Sequence, residues 1–379
     1  KNPKLQWKTT KRFNIGLQAS LLNNRVNLAL EYFNSKTDNL LTRKSVSDVT
    51  GLSTMWSNDG ALSNKGVDFN INAMLIQHKD WRWQAGFSIG HYKNEITSLP
   101  TSNLNTIRTY ALNEDGSRGA ETQIHGYTSS IYGSNNVLTA VGKAAGLFYG
   151  YKTAGVFATD AEAASAGKYG YLRYPTGLSE QPSRDFRAGD VHFVDQNGDG
   201  WINEADMVVI GDPNPDIYGN IFTSLSWKSL KLDVNFKYSL GNDVFNYQRS
   251  QLESLNTNWN QTTAAVNRWR YEGQQTDMPR AMYTTSDQWV NNERFSDRWI
   301  EDGSYLKLKN IRLTYKIPVN LSWLLGLSVW GECNNVFTIS KYTGNDPEFS
   351  AGNGVLYQGI DAGYLPQSRN FSLGVTINL

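Results

Sequence analysis

The last nine residues of the chain, Phe371 to Leu379, alternate apolar and polar side chains without a break. A period of two places successive side chains on opposite faces of a β-strand, so one face meets an apolar medium and the other meets water. Strands of transmembrane barrels have this pattern, and so do strands of soluble sandwiches. The rest of the chain therefore decides between the two.

The same alternation recurs along the whole chain. It is clearest in Phe13–Leu21, Val26–Tyr32, Val67–Leu75, Trp81–Ile89, Leu232–Tyr238 and Ile311–Ile317. The dipeptide Asn23-Asn24 separates the first two segments, and asparagine tolerates the positive φ of a tight hairpin turn. The sequence therefore predicts an antiparallel, all-β fold.

The predicted connections fall into two length classes that alternate along the chain. Short ones lie at 23–24, 78–80, near 229 and at 318–325, and long ones lie at 37–59, 98–214, 247–302 and 340–367. Transmembrane barrels have short periplasmic turns and longer extracellular loops. If the first turn is periplasmic, strand alternation places every long connection outside the cell and the C-terminus in the periplasm. The segment 98–214 is long enough to contain a further strand pair.

The number of strands predicts an incomplete barrel. We count roughly nine to eleven strands, whereas a large plugged transporter barrel has about 22. An open half-barrel would leave unpaired backbone edges in lipid, which is not viable. We therefore expect a C-terminal half of a large barrel, with the plug domain and the N-terminal strands absent from 1–379. The opening Lys1-Asn2-Pro3, without an initiator Met or signal peptide, favours this over a closed small barrel.

Composition excludes some classes of partner. The net charge of +1 gives no electrostatic reason to expect nucleic acid. No apolar run reaches the length of a membrane helix. The 20 Tyr, 15 Phe and 12 Trp suit the aromatic girdles of a barrel, and they also suit sugar-binding surfaces. The single Cys333 excludes an internal disulfide.

The most specific chemical motif is the twelve-residue segment from Asp195 to Asp206, DQNGDGWINEAD. Oxygen-bearing side chains at positions 1, 3 and 5, Gly at 6 and a carboxylate at 12 match the calcium loop of EF-hands. The predicted ligands of a structural Ca²⁺ are the side chains of Asp195, Asn197, Asp199 and Asp206 and the carbonyl of Trp201. Asp206 replaces the usual Glu, and its shorter arm makes a bidentate bond harder. The alternative is an Asn- and Gly-rich turn that binds nothing.

No catalytic arrangement emerges from the sequence. The histidines His78, His91, His125 and His192 are scattered without metal-ligand spacing. No pair of carboxylates, phosphate loop or nucleophile elbow stands out. A cation–aromatic cluster is interpreted as ordinary loop packing, with ligand contact as the alternative; its residues are Arg268, Trp269, Arg270, Asp297, Arg298 and Trp299. We therefore predict a protein that is not an enzyme.

The motifs also match a known family. The chain resembles the C-terminal part of the SusC/RagA-type TonB-dependent transporters of Bacteroidetes. The similar segments, in order, are the start at Asn2-Pro3 with Leu5 and Trp7, NKGVDFNIN (64–72), WRWQAGFSIGHYKNEIT (81–97), GLFYGYKTAGVF (146–157), VDQNGDGWINEADMVVIGDPNPDIYGN (194–220), RWRYEGQQTDMPRA (268–281), SDRWIEDGSYLKLKNIRLTYKIP (296–318), NNVFTISKYTGNDPEFS (334–350) and LPQSRNFSLGVTINL (365–379).

The resemblance implies an outer-membrane importer of oligosaccharides or, in some members, peptides. It implies energy coupling through TonB, contacted by the missing N-terminal part, and a SusD-like surface lipoprotein that caps the barrel. Two residues depart from the family pattern. Leu379 stands where many outer-membrane proteins end in Phe, and Asn345 replaces an aromatic residue.

Two other function classes remain open from the residues alone. One is a secreted, soluble β-sheet protein that binds glycans and carries a dockerin-like calcium loop. The other is a glycan-degrading enzyme, which requires an acid pair that the sequence does not single out. The substrate-binding residues cannot be predicted from this chain.

Overall fold

The computed structural model describes residues 4–46, 51–52, 54–101, 105–113, 118–133, 136–176, 183–320, 323–349 and 351–378. Within them the strands are β1 (Thr9–Leu21), β2 (Val26–Ser45), β3 (Thr54–Gln77), β4 (Trp81–Ser98), β5 (Asn105–Leu112), β6 (Arg118–Ser129), β7 (Val137–Ala140), β8 (Leu147–Tyr151), β9 (Thr153–Val156), β10 (Arg173–Tyr174), β11 (Arg184–Asp185), β12 (Val191–Phe193), β13 (Met207–Gly211), β14 (Ile217–Trp227), β15 (Leu230–Leu240), β16 (Asp243–Asn246), β17 (Ile300–Asp302), β18 (Tyr305–Ile317), β19 (Gly326–Ser340), β20 (Ile360–Asp361) and β21 (Asn370–Asn378).

Helical segments are short in the described part of the chain. The α-helices are α1 (Asp160–Ala166) and α2 (Tyr247–Leu252), and the 3₁₀ turns are Glu204–Asp206, Thr263–Asn267, Asp297–Trp299 and Val355–Tyr357. None of these helices has the length and apolar character needed to cross a membrane.

The main structural unit is one nine-stranded sheet, which we call the wall. Its strand order is β1-β2-β3-β4-β14-β15-β18-β19-β21, and every neighbouring pair is antiparallel. The predicted all-β, antiparallel fold is confirmed. The wall has two edge strands, β1 and β21, each paired on one side among the described residues. Leu379, the last residue of the predicted terminal strand, lies outside those residues.

The wall has one apolar face and one polar face. On the apolar face Leu17, Leu30 and Phe69 are successive cross-strand partners. Leu17 is 66% exposed and Leu373 on β21 is 89% exposed, so this face lacks a protein cover in the described chain. On the polar face Asp233, Arg312 and Glu332 are partners across three strands. The alternation predicted from sequence therefore sorts the side chains as expected.

On the polar face, four glycines of the wall are each covered by an aromatic ring on the neighbouring strand. The cross-strand partners are Gly66 with Phe33, Gly86 with Phe222, Gly90 with Tyr218 and Gly374 with Trp330. A Cβ added at Gly86 would lie 2.0 Å from the Phe222 ring. Each ring fills the space that its glycine partner leaves, which stabilises an otherwise weak strand position.

At one end of the wall the connections are short, as predicted. Leu22, Asn23 and Asn24 all have positive φ, between 53° and 64°, which confirms the predicted tight turn. At the other end of the wall, the loop predicted over 37–59 is longer than the loop in the structure. β2 and β3 continue through most of it, with Thr42 opposite Ser57, and two register shifts accommodate the polar sequence. Backbone pairing therefore extends past the point where the hydrophobic alternation ends.

The long segment 98–214 contains strands, but none of them joins the wall. β5, β6, β7, β8 and β13 form a separate five-stranded sheet in the order β13-β8-β7-β6-β5. Aromatic side chains from several long connections pack together on it. Phe148, Phe245, Phe295 and Trp299 form one buried cluster with Ile360. The long connections at this end therefore make a packed assembly, which we call the cap.

Candidate functional site

The predicted calcium loop lies in the cap, between β12 and β13. Two backbone hydrogen bonds fasten it to Arg173 on β10: the Arg173 N–H donates to the Gly200 carbonyl at 3.0 Å, and the Ile202 N–H donates to the Arg173 carbonyl at 2.9 Å. Ile202 is fully buried in the cluster that contains Phe186 and Phe193. The apolar residue at position 8 of the motif therefore anchors the loop to the cap core.

The carboxylate of Asp195 organises the first half of the loop. Its Oδ1 accepts the Gly198 N–H at 2.7 Å, and its Oδ2 accepts the Gly200 N–H at 2.7 Å. Gly198 and Gly200 have φ of +74° and +88°, a region that side chains with a Cβ rarely adopt. The two glycines thus let the backbone wrap around the Asp195 carboxylate.

Asn197 and Asp199 join the same network. The Asn197 amide donates to Asp199 Oδ2 at 2.9 Å, and the Trp201 N–H donates to Asp199 Oδ1 at 2.8 Å. The indole ring of Trp201 lies 5.7 Å from the guanidinium carbon of Arg173. The structure therefore places the side chains of Asp195, Asn197 and Asp199 and the Trp201 N–H in one hydrogen-bond network.

Asp206 has a different environment. Its residue is fully buried, and its Oδ1 and Oδ2 accept the N–H groups of Gln196 and Asn203, each at 2.9 Å. It forms a capping box with Asn203 at the start of the 3₁₀ turn. Burial raises the pKa of Asp206 to about 7. Both carboxylate oxygens of Asp206 therefore accept hydrogen bonds from the loop backbone.

The residue types in the loop suit a hard cation, but their arrangement in the structure does not form a complete metal site. Carboxylate and amide oxygens are the ligands that Ca²⁺ prefers. Within the described residues, however, no group of three or more His, Cys, Asp or Glu side chains is arranged to hold a metal ion. The side-chain oxygens of Asp195, Asn197 and Asp199 are of the type that Ca²⁺ prefers. The assignment of a calcium site stays a prediction.

Sequence reasoning missed a second candidate site in the cap, a cavity of about 210 Å³. Its lining residues come from three separate parts of the chain, at 132–133, 245–259 and 293–299. Trp299, interpreted from sequence as loop packing, is 2% exposed and forms part of this lining. Because the lining is assembled from distant segments, no local spacing in the sequence could predict it.

The described residues form a nine-stranded antiparallel wall with a structured cap. Comparison with known proteins shows what the chain is similar to. The chain is 29% identical over 384 residues to TonB-dependent receptor P3 of Formosa agariphila, covering 99% of this chain and 34% of that protein. It is 27% identical over 391 residues to TonB-dependent receptor SusC of Bacteroides thetaiotaomicron, covering 99% and 32%. No family model matches it.

A solved structure of the RagAB peptide transporter superposes with a TM-score of 0.70, at 22% identity, over 99% of this chain and 36% of that chain. That likeness supports the fold. The chain is therefore similar over nearly its whole length to TonB-dependent receptors, SusC among them. It spans about a third of the length of the relatives it matches. These relatives are named as receptors, which points away from an enzyme.

Proposed function

We propose that this chain forms part of the barrel wall and extracellular cap of an outer-membrane importer driven through TonB. The observation that carries the proposal is the uncovered apolar face of the wall. Phe371, Leu373 and Val375 on β21 are 77%, 89% and 61% exposed, and such a continuous apolar surface requires lipid or protein against it. The match to TonB-dependent receptors favours lipid as that medium.

The aromatic side chains near the short turns support a membrane orientation. Trp81 and Trp227 stack with ring centroids 5.8 Å apart, directly beside the turns that follow Gln77 and Trp227. Tryptophan is enriched at the edges of the lipid layer. We place these turns and the end of β21 in the periplasm, and the cap outside the cell.

The unpaired edges β1 and β21 require further strands, because open edges are not viable in lipid. We assign these strands, and a plug domain that carries the contact with TonB, to the rest of the same protein. A SusD-like surface lipoprotein is the proposed partner of the cap. The imported nutrient is an oligosaccharide or a peptide.

The alternative is a secreted, soluble glycan-binding protein, in which the apolar face would have to be buried. The discriminating experiment is detergent extraction of membranes from cells that express the full-length receptor containing this chain. We expect the protein in the outer-membrane fraction, with gel migration that changes on boiling, as intact barrels show. A protein that fractionates with the soluble secreted material and migrates identically with and without boiling would rule out the importer.

We further propose that the loop 195–206 binds a structural Ca²⁺ through Asp195, Asn197, Asp199, Asp206 and the Trp201 carbonyl. Its support is the motif and the network around Asp195 and Asp199. When bound, the ion would neutralise these carboxylates and rigidify the cap.

The calcium proposal predicts a difference in proteolysis. Chelation of the purified receptor with EDTA should increase cleavage near 195–206, and added Ca²⁺ should restore protection. Asp199→Asn should reduce the response to Ca²⁺, whereas Asp287→Asn, which changes an exposed acid outside the loop, should not. Identical cleavage with EDTA and with Ca²⁺ would leave the loop as a metal-free turn.

A further inference from the structure

The cap cavity combines aromatic faces with polar groups at its rim. Tyr132 and Tyr247 lie with ring centroids 5.3 Å apart and an interplanar angle of 50°. Trp259 also lines the cavity and is 72% exposed. An indole that a protein leaves this exposed beside a cavity offers a face on which a ligand can stack.

The polar side of the cavity presents several kinds of hydrogen-bonding group. The Asn256 amide donates to Glu293 Oε1 at 2.5 Å, and the Ser254 hydroxyl donates to Asn256 Oδ1 at 2.8 Å. The exposed Gln251 adds a second amide at the rim. Amide, hydroxyl and carboxyl groups that converge on one space can both donate to and accept from a ligand.

The charges around the cavity favour a neutral ligand. The guanidinium groups of Arg249 and Arg298 lie 5.3 Å and 5.5 Å from the ring of Trp299, which lines the cavity. Arg249 is ion-paired with Glu253 and Glu301, at 3.4 Å and 2.7 Å, so its charge is compensated. Of the remaining charges, Arg298 disfavours a cation and Glu293 disfavours an anion. Neither a free phosphate nor a lysine or arginine side chain is therefore the preferred occupant.

The size of the cavity limits what can enter it. At about 210 Å³ it is smaller than the 300–1,000 Å³ of typical sites that enclose a whole small-molecule ligand. The space therefore suits one ring at the end of a longer molecule. A pyranose ring has an apolar C–H face for stacking and hydroxyls on its edge, and so matches both sides of the cavity.

We propose that this cavity binds a terminal neutral sugar ring of an oligosaccharide, with Trp259 stacking on the ring and Gln251 and Asn256 hydrogen-bonded to its hydroxyls. The inference deepens the proposed import function and rests on it for the extracellular position of the cap. It selects saccharide over peptide for this site.

The test is binding by the purified full-length receptor. The receptor is applied to an array of neutral and acidic oligosaccharides and to an array of random peptides. The affinity for the best neutral oligosaccharide is then measured by isothermal titration calorimetry, which does not depend on any tryptophan as a reporter. We expect Trp259→Ala and Gln251→Ala each to weaken this affinity at least tenfold. Tyr271→Ala removes a similarly exposed ring, at 66%, that does not line the cavity, and should leave the affinity unchanged.

Two variants keep the test decisive if one of them fails to fold, and the boiling shift on gels reports folding for each. Binding of no neutral oligosaccharide overturns the proposal. So does an affinity that folded Trp259→Ala and Gln251→Ala leave intact, or a peptide whose binding Trp259→Ala abolishes.

Uptake by cells separates this inference from the import function. The fluorescently labelled oligosaccharide is offered to cells with and without TonB. Binding by the purified receptor without uptake would contradict the import function and support the sugar site. TonB-dependent uptake, together with binding that the cavity variants leave unchanged, would support the import function and contradict the sugar site.

Discussion

The ammonium group of Lys307 lies 3.0 Å from Oδ2 of Asp346. The two side chains are only 3% and 8% exposed, although they are 39 positions apart in the sequence. Lys307 also lies 2.8 Å from Oε2 of Glu348. Lys307 belongs to the wall strand β18, and both acids belong to the segment that follows β19. This charge cluster therefore ties a cap segment to the polar face of the wall.

Replacing Lys307 tests the tie directly. Lys307→Met leaves two carboxylates close together without their buried cation, and we expect a cost of about 3–5 kcal/mol in local stability. Limited trypsin digestion of the purified receptor should cleave faster after Lys341, at the start of the tied segment. Lys309→Met is the matched control, because Lys309 is 33% exposed and makes a longer, 3.3 Å contact with Glu348. Equal cleavage rates in the two variants would contradict a tie through Lys307.

Acid should loosen the same segment. Burial alone would raise the pKa of Glu348, but hydrogen bonds from Lys237 and Lys307 outweigh it and lower the pKa from 4.5 to about 2. The folded pKa lies below the unfolded one, so the stabilisation is complete above about pH 4.5 and is lost as the pH falls towards 2. A shift of this size corresponds to roughly 3 kcal/mol.

Hydrogen–deuterium exchange across residues 341–349, corrected for the intrinsic effect of pH, measures this loss. We expect protection to fall between pH 4.5 and pH 2 in the wild type and to change much less in Glu348→Gln. Protection that is constant down to pH 2 in the wild type would show that Glu348 does not hold the segment.

A single arginine organises the core of the cap around the predicted calcium loop. The guanidinium carbon of Arg294 lies 4.0 Å from the ring centre of Tyr174 and 4.8 Å from that of Phe193. Its Nη2 donates to the Val290 carbonyl at 2.9 Å, and burial lowers its pKa. Because desolvation opposes the charge here, much of the value of Arg294 is its packing volume.

Two substitutions separate volume from charge at this position. Arg294→Ala leaves a cavity between aromatic rings and should cost about 2–5 kcal/mol. Arg294→Met fills most of that volume and should cost at least about 1 kcal/mol less. Protection of the cap against chymotrypsin measures both. Equal loss in Arg294→Ala and Arg294→Met would assign the stabilisation to the charge and its interaction with the rings.

The wall was predictable from sequence because its two faces meet different media. In β3 the alternation of Val67, Phe69 and Ile71 follows from that contrast alone. The ends of β2 and β3 were not predictable, because beyond the apolar face only backbone pairing sustains them. The cavity beside Trp259 was not predictable either, because it depends on contacts between segments that are distant in sequence. Spacing within one segment carries no information about such contacts.

The close packing of two wall strands gives the last prediction. A Cβ added at Gly219 on β14 would lie 1.9 Å from the carbonyl oxygen of Ser88 on β4, and this backbone atom cannot move without disturbing the ladder. The same carbonyl accepts the Tyr238 hydroxyl at 2.8 Å. Gly219→Ala should therefore force β4 and β14 apart, at a cost of about 1–3 kcal/mol.

Gly16→Ala is the matched control on β1, because its added Cβ would have its nearest contact at 3.6 Å, an ordinary van der Waals distance. The measurement is the fraction of receptor in the outer membrane whose gel migration changes on boiling. Gly219→Ala should lower this fraction. Gly16→Ala should not lower it, because its added methyl group meets no close contact and alanine restricts the unfolded chain more than glycine does. If both variants assemble like the wild type, the wall adjusts at β4 and β14 more easily than their spacing implies, and the packing of Tyr238 over Gly219 does not constrain the barrel.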